Sequence, residues 1–192
     1  GSMSDKPYSV FMDIYAAMGR LHMREFGTTQ RQFAAVASKN HGHSVHNPLS
    51  QYRKPFSIEE VLASPAISYP LTLLMCSPVT DGAAAAIVCN AEGLRRIAAK
   101  GKRAVKVLSS VIQTGSDRPS EALEQHAVRL GALRAYELAG IGPGDISVAE
   151  VHDASAIGEI FQSEVLGLCE FGGGGRAAES GETSIGGRIP IN

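Results

Sequence analysis

The residues best placed to do chemistry are Glu150-Val151-His152-Asp153-Ala154-Ser155. They follow an apolar run, Ile146-Ser147-Val148-Ala149, that reads as a buried strand, and they precede Ala156-Ile157-Gly158-Glu159-Ile160-Phe161, which opens a helical pattern. A strand that ends on His-Asp and turns at once into a helix puts an imidazole at the carboxyl edge of a sheet. In α/β folds that edge takes the ligand, and the amides of a helix N-terminus beside it suit an anion. The spacing alone also fits a packed or capping histidine. Asp153 could cap the helix that begins near Ala156 or orient His152, and the cap is the favoured expectation.

Two other groups of reactive residues point away from metal or thiol chemistry. His41, His43 and His46 form an HxHxxH, yet no carboxylate or cysteine stands beside them at ligand spacing, so the expectation is loop hydrogen bonding and no metal. Cys76, Cys89 and Cys169 sit in Ala- and Val-rich surroundings without CxxC spacing. They read as small buried hydrophobes in a reducing, cytoplasmic setting, with no disulfide framework and no activated nucleophile.

The elements that must hold these groups alternate between two periods. Val10 to Phe26 repeats apolar residues at helical spacing and stops at Gly27. Thr28 or Thr29 then caps a second helix, Gln30 to Lys39, and the polar stretch from Asn40 to Arg53 reads as a loop. Ser57-Ile58-Glu59-Glu60 is a capping box. Pro65, Pro70 and Pro78 force the following stretch to be extended or turned. Ala83 to Val88 and Ala104 to Thr114 read as strands, Ala91 to Lys100 and Glu121 to Leu138 as helices, and Gly172 to Gly175 as a flexible loop. Arg95-Arg96 with Lys100-Gly101-Lys102-Arg103 is a basic cluster at a helix end, read as a solvated face. Strands alternating with helices predict an α/β protein. No strand-turn-helix unit carries GxGxxG spacing.

Composition narrows the partners. A hydrophobic share of 44% and a charged share of 19% in 192 residues are enough for a real core. The net charge of -1, with no basic block, argues against nucleic acid as a partner. No apolar run approaches the roughly 20 residues that span a bilayer, so no membrane partner is expected. Gly1-Ser2-Met3 reads as a cloning remnant and is set aside.

Several segments, in order along the chain, carry a family resemblance. Lys39-Asn40-His41-Gly42-His43-Ser44-Val45-His46-Asn47-Pro48 is similar to a KNHxHSxxNP segment. Pro70-Leu71-Thr72 through Cys76-Ser77-Pro78-Val79-Thr80-Asp81-Gly82-Ala83-Ala84-Ala85 resembles a PLT…C-x-P-x-x-DGAAA entry to a strand. Ala139-Gly140-Ile141, Asp145-Ile146 and Glu150-Val151-His152-Asp153 are similar to AGI…DI…E-x-HD, and Glu164-Val165-Leu166-Gly167-Leu168-Cys169 to E-x-LGLC. Gly186-Gly187-Arg188-Ile189-Pro190-Ile191-Asn192 looks like the run into a glycine-rich NPxGG turn. Together they resemble the thiolase superfamily, and within it the sterol-carrier-protein-2 type, in the central portion of the family's sequence.

The resemblance implies a layered αβαβα fold, here incomplete, with residues 4–102 the end of the first thiolase domain and 103–192 the start of the second. It implies an acyltransferase on acyl-coenzyme A thioesters, by 3-ketoacyl thiolysis or Claisen condensation, with coenzyme A thioester as substrate and no other cofactor. His152 matches the histidine that helps bind the thioester oxygen, and Ser77 a serine near the pantetheine arm, though a turn-forming Ser before Pro78 explains that residue equally well. The family's nucleophilic cysteine, GHP histidine and C-x-G cysteine have no counterpart among these residues, so the chain alone is expected to be inactive. Ala154-Ser155 departs from the usual Cys-Phe after His-Asp. That departure keeps two alternatives open: a retro-aldolase for steroid side-chain thioesters working with an OB-fold partner of the DUF35 type, and a non-catalytic scaffold. A homo-oligomer is expected in each case.

Overall fold

The computed structural model describes residues 10–98, 103–115 and 117–192. Helices dominate it: α1 (Val10–Phe26), α2 (Gln30–Ser44), α3 (Ile58–Ala63), α4 (Ala91–Ala98), α5 (Ala127–Ala139), α6 (Ala156–Val165) and α7 (Gly174–Glu179). Among the described residues the sheet is confined to β1 (Ala66–Ser68) and β2 (Leu71–Thr72), an antiparallel pair in which Ala66 faces Thr72.

Local chemistry sets most helix ends. Thr29 and Gln32 form a reciprocal cap at the start of α2, and Ser57 and Glu60 do the same for α3, each pair satisfying two amides that the first turn leaves unbonded. Gly140, at φ +68°, ends α5 in the left-handed conformation that costs a glycine nothing. The core joins α1, α2 and α3 to α6 through Ala16, Phe33, Val36, Val61, Ile157 and Ile160, all essentially buried. A smaller cluster of Leu168, Ile189 and Ile191 packs on Ile146, Ala149 and Val151.

Several expectations need correction. The second helix runs past Lys39 to Ser44, so Asn40, His41 and His43 lie on a helix and not at the head of a loop. Their polar side chains read as loop residues, but each finds a partner on a neighbouring element. The helix expected from Glu121 begins at Ala127 after a 3-10 turn over Leu123–Gln125, because the His126 ring caps it by accepting from the Val128 amide at 3.1 Å. Gly172 to Gly175 is not a loose loop. Gly174 opens α7 against α6, so close that a Cβ there would lie 2.8 Å from Ile160 O and Ser163 Oγ. The fourth helix ends at Ala98, and Lys100, Gly101 and Lys102 lie outside the described residues.

The largest departure concerns strands. Ala83 to Val88 and Ala104 to Thr114 form no ladder, and their apolar side chains are exposed: Ile87 by 84%, Val105 by 85%, Ile112 by 95%. Ile146 to Ala149 makes a single parallel bridge, Ala149 to Ile191. A strand needs a second strand to satisfy its amides and carbonyls, and none lies beside these runs among the described residues. Helices satisfy theirs internally, so the expected ones form, with altered ends, without needing a partner segment.

Candidate functional site

The turn that carries His152 is held from three sides. Segment 190–192 runs beside residues 149–151: the Ala149 amide donates to Pro190 O at 3.0 Å and the Asn192 amide to Ala149 O at 3.1 Å. The Asn192 side chain extends this pairing by one step, its Oδ1 accepting from the Val151 amide at 2.7 Å and its Nδ2 donating to Val151 O at 3.2 Å. On the helix side, Gln162 Nε2 donates to His152 O. On the third side the Ser77 amide donates to Ala154 O at 3.1 Å, next to a bridge between Cys76 and Ser155.

That third contact brings together two motifs separated by more than seventy positions in the sequence. Ser77 and Asp153 line one cleft of about 190 Å³, walled by Asn40, His41, Tyr52 and Leu74. His41 donates from Nε2 to Leu74 O at 3.1 Å and packs edge-on to Phe56. Ser77 is exposed. His152 is exposed beside Asp153, follows no regular strand, and is not among the residues lining the cleft.

Asp153 does not cap α6. Ser155 occupies that position without a side-chain cap bond, and its buried hydroxyl has no partner among the described residues. The Asp153 carboxylate instead accepts from Asn40 Nδ2 at 3.0 Å, and the same Nδ2 donates to Glu159 Oε2 at 2.8 Å. Glu159 meets Lys39 Nζ at 3.0 Å, and Nζ also donates to Ile191 O. Lys39 and Glu159 are thus a buried pair tied to Asp153, with side chains 3% and 2% exposed. Burial pushes the Glu159 and Asp153 carboxyls above their usual range and pulls the Lys39 ammonium below its own. The three contacts of Nζ, to Glu159 Oε1, Glu159 Oε2 and Ile191 O, match in number the three donors of a protonated amine.

His43 adds a further brace. Its Nδ1 donates to Asn192 O at 2.7 Å and its Nε2 accepts from the Ile185 amide at 3.1 Å, which requires a neutral ring. Burial holds its pKa below the usual value, in keeping with that role. Among the described residues no group of His, Cys, Asp and Glu could hold a metal. Burial pushes the thiols of Cys76 and Cys169 up to about 11, so neither is a ready nucleophile. Cys89 is exposed, against the expectation of a buried residue.

Sequence reasoning missed Lys39, Asn40, Glu159 and Asn192 as site residues. One signal was present: Glu159 is a charge inside the apolar opening of a helix, and such a position calls for a buried partner. Asn192 left no such mark, because its amide works only once the two segments lie side by side.

The comparisons with known proteins fit this picture. Residues 109–192 match the family described as thiolase C-terminal domain-like. An acetyl-CoA acetyltransferase of Methanothermobacter thermautotrophicus is 40% identical over 186 residues, covering 95% of this chain and 48% of that protein. The chain belongs to the thiolase superfamily. Sterol carrier protein 2 of Bos taurus is 38% identical over 97% of this thiolase-like chain and 35% of its own length. The chain therefore spans about a third to a half of the curated relatives it matches. A solved structure titled Ltp2-ChsH2(DUF35) aldolase superposes on all of this chain and 55% of its own with a TM-score of 0.71, at 23% identity. The fold is a partial thiolase-like α/β fold, helical with a small sheet. No helix among the described residues is long and apolar enough to cross a membrane.

Proposed function

We propose that this chain is part of a thiolase-type acyltransferase acting on acyl-coenzyme A thioesters, by 3-ketoacyl thiolysis or the reverse Claisen condensation. The observation that carries the reading is the Ser77 amide bonded to Ala154 O, which ties the Ser77 turn to the turn carrying Asp153 at one cleft, with His152 exposed at the preceding position and outside the cleft lining. In this reading the pantetheine arm passes Ser77, and a His152 N–H stabilises the thioester oxygen as negative charge develops on it. Asp153 acts as a positioning residue, fixed by Asn40 and through it by Lys39 and Glu159. The 40% identity to an acetyl-CoA acetyltransferase supports this assignment. In this reading the chain supplies binding and oxyanion groups, and the thiols of Cys76 and Cys169, pushed up to about 11, are not its nucleophile.

Calorimetric titration of the purified chain with acetoacetyl coenzyme A tests it. Saturable binding, weakened about tenfold by Ser77→Phe, is expected, with no thiolysis by the chain alone. Binding that Ser77→Phe leaves unchanged would refute the cleft assignment.

A second reading is favoured by Ala154-Ser155 standing where Cys-Phe is usual, and by the likeness to a structure titled as a DUF35-associated aldolase. Here the chain belongs to a thiolase-like retro-aldolase that works with an OB-fold partner of the DUF35 type. Co-expression with such a partner separates the two readings: a stable complex supports the second, and its absence together with coenzyme A binding supports the first.

A further inference from the structure

A second, larger cavity of about 500 Å³ lies on the other side of α6 from the Ser77 cleft. Ala156 faces the cleft, whereas Ile157 and Phe161 face the cavity. Its opposite wall is α1, through Met18 and Leu21, and it is closed by residues 118–126, with Leu123 among them. A cavity of this size with mostly apolar walls is in the range that encloses a small organic ligand.

One end is polar, and its donors are fixed. His126 Nδ1 accepts from the Val128 amide at 3.1 Å, so a neutral ring carries its proton on Nε2, and no protein acceptor among the described residues takes that proton. Burial and the neighbouring Arg118 hold the His126 pKa below its usual value, which keeps the ring neutral. Its edge is set against Phe161, with ring centroids 4.7 Å apart. Arg118 Nη1 donates to the carbonyls of Pro119, Ser120 and Ala122 at 2.9, 3.2 and 3.3 Å, which holds the guanidinium in place. Among the described residues Arg118 has no carboxylate partner.

The remaining polar lining residues do not cancel this charge. His22 is committed to Thr28 Oγ1 at 2.8 Å and Glu164 Oε2 at 2.9 Å. Glu25 is paired with Arg24 at 2.7 Å. Glu121 is exposed to water, while Arg118 and His126 are half-buried. The cavity therefore offers an apolar body and, at one end, a half-buried cation beside a neutral N–H donor.

We infer that this cavity is a binding site for an alkyl carboxylate, whose chain lies between α1 and α6 and whose head accepts from Arg118 and His126. The site is independent of the coenzyme A cleft and of the function proposed for it. Charge-assisted bonds to a carboxylate are the stronger kind, and part of their strength is lost with an uncharged head of similar length.

Calorimetric titration of the full chain with dodecanoate and with 1-dodecanol, both below their aggregation limits, tests this. Saturable one-to-one binding of dodecanoate is expected, about tenfold tighter than the alcohol. Arg118→Gln should reduce the dodecanoate affinity to that of the alcohol. Because that change also frees three carbonyls, Ala17→Phe serves as a second variant. Ala17 lines the cavity on an exposed part of α1, so the ring fills the space without disturbing the core. Ala17→Phe should abolish binding of both ligands and leave the circular dichroism melt in place. Equal affinity for acid and alcohol, or binding that survives Ala17→Phe, overturns the assignment.

Discussion

Replacing Lys39 with methionine tests the buried network most directly. The Lys39 and Glu159 side chains are only 3% and 2% exposed, so water cannot replace the partner that is removed. With Nζ gone, Glu159 keeps one bond, from Asn40 Nδ2 at 2.8 Å, and shares that amide with Asp153 at 3.0 Å. Two carboxyls then compete for one neutral donor, with no cation beside them. Removing one partner of a buried ion pair typically costs about 3–5 kcal/mol. The lower end applies here, because Asn40 remains and either carboxyl can take up a proton, at about 1.4 kcal/mol per unit of pKa shift. With a urea dependence of about 2 kcal/mol per molar, a loss of about 3 kcal/mol lowers the unfolding midpoint by about 1.5 M. The double variant Lys39→Met, Glu159→Leu removes both charges and should return to within about 1 kcal/mol of the parent, as apolar replacements of buried pairs commonly do. Urea titration followed by circular dichroism measures all three proteins, and Glu159→Gln provides a milder variant if Lys39→Met does not fold. A midpoint for Lys39→Met within about 0.3 M of the parent, roughly 0.6 kcal/mol, would refute the reasoning. It would mean that Glu159 is already neutral in the parent.

Three further outcomes are expected. Burial raises the Asp153 pKa in the folded state, so its contribution to stability is fully present below the ordinary carboxylate value and lost as pH rises through the raised one. The stability of the parent relative to Asp153→Asn should accordingly be highest below about pH 4 and decline toward neutrality, and a difference that grows with pH refutes the direction. Iodoacetamide at pH 8 should label exposed Cys89 first, because a thiol pushed up to about 11 is ionised to about one part in a thousand there, and mass spectrometry of timed samples reads the order for Cys76 and Cys169. The chain should self-associate at micromolar concentration through residues 83–88 and 104–112, where Ile87, Val105 and Ile112 are exposed. A monodisperse species of 20.2 kDa by light scattering contradicts this.

The parts of the molecule legible in the sequence are those settled within a few residues. Val10 to Phe26 is helical over the range its periodicity gives, and the caps at Thr29 and Ser57 form as their sequences imply. Of the candidate site, Ser77 and Asp153 each sit in a recognisable local pattern and line the cleft, whereas His152 does not line it. The partner of Asp153 was not legible. Asn40 reads as the first residue of a polar loop, and only the packing of α2 against α6 turns it toward two carboxylates. Likewise His126, inside an apparently continuous helical run, starts the helix by capping it, because its ring reaches the Val128 amide.

The strands were read from composition, and composition cannot supply a partner. Ala83 to Val88 is apolar enough for a buried strand, but being a strand is a property of two segments, and the second can lie anywhere in the sequence. The one parallel bridge among the described residues, Ala149 to Ile191, is extended by Asn192, which bonds both the amide and the carbonyl of Val151 through its side chain in place of a further strand residue. The His152 turn is therefore held by a side chain at the point where backbone pairing ends. Its geometry should depend on Asn192 more than on the hydrophobic character of residues 146–149. The apolar run fixes it only in part, through Ile146 and Ala149 packed on Leu168, Ile189 and Ile191, and the Asn192 side chain does the rest.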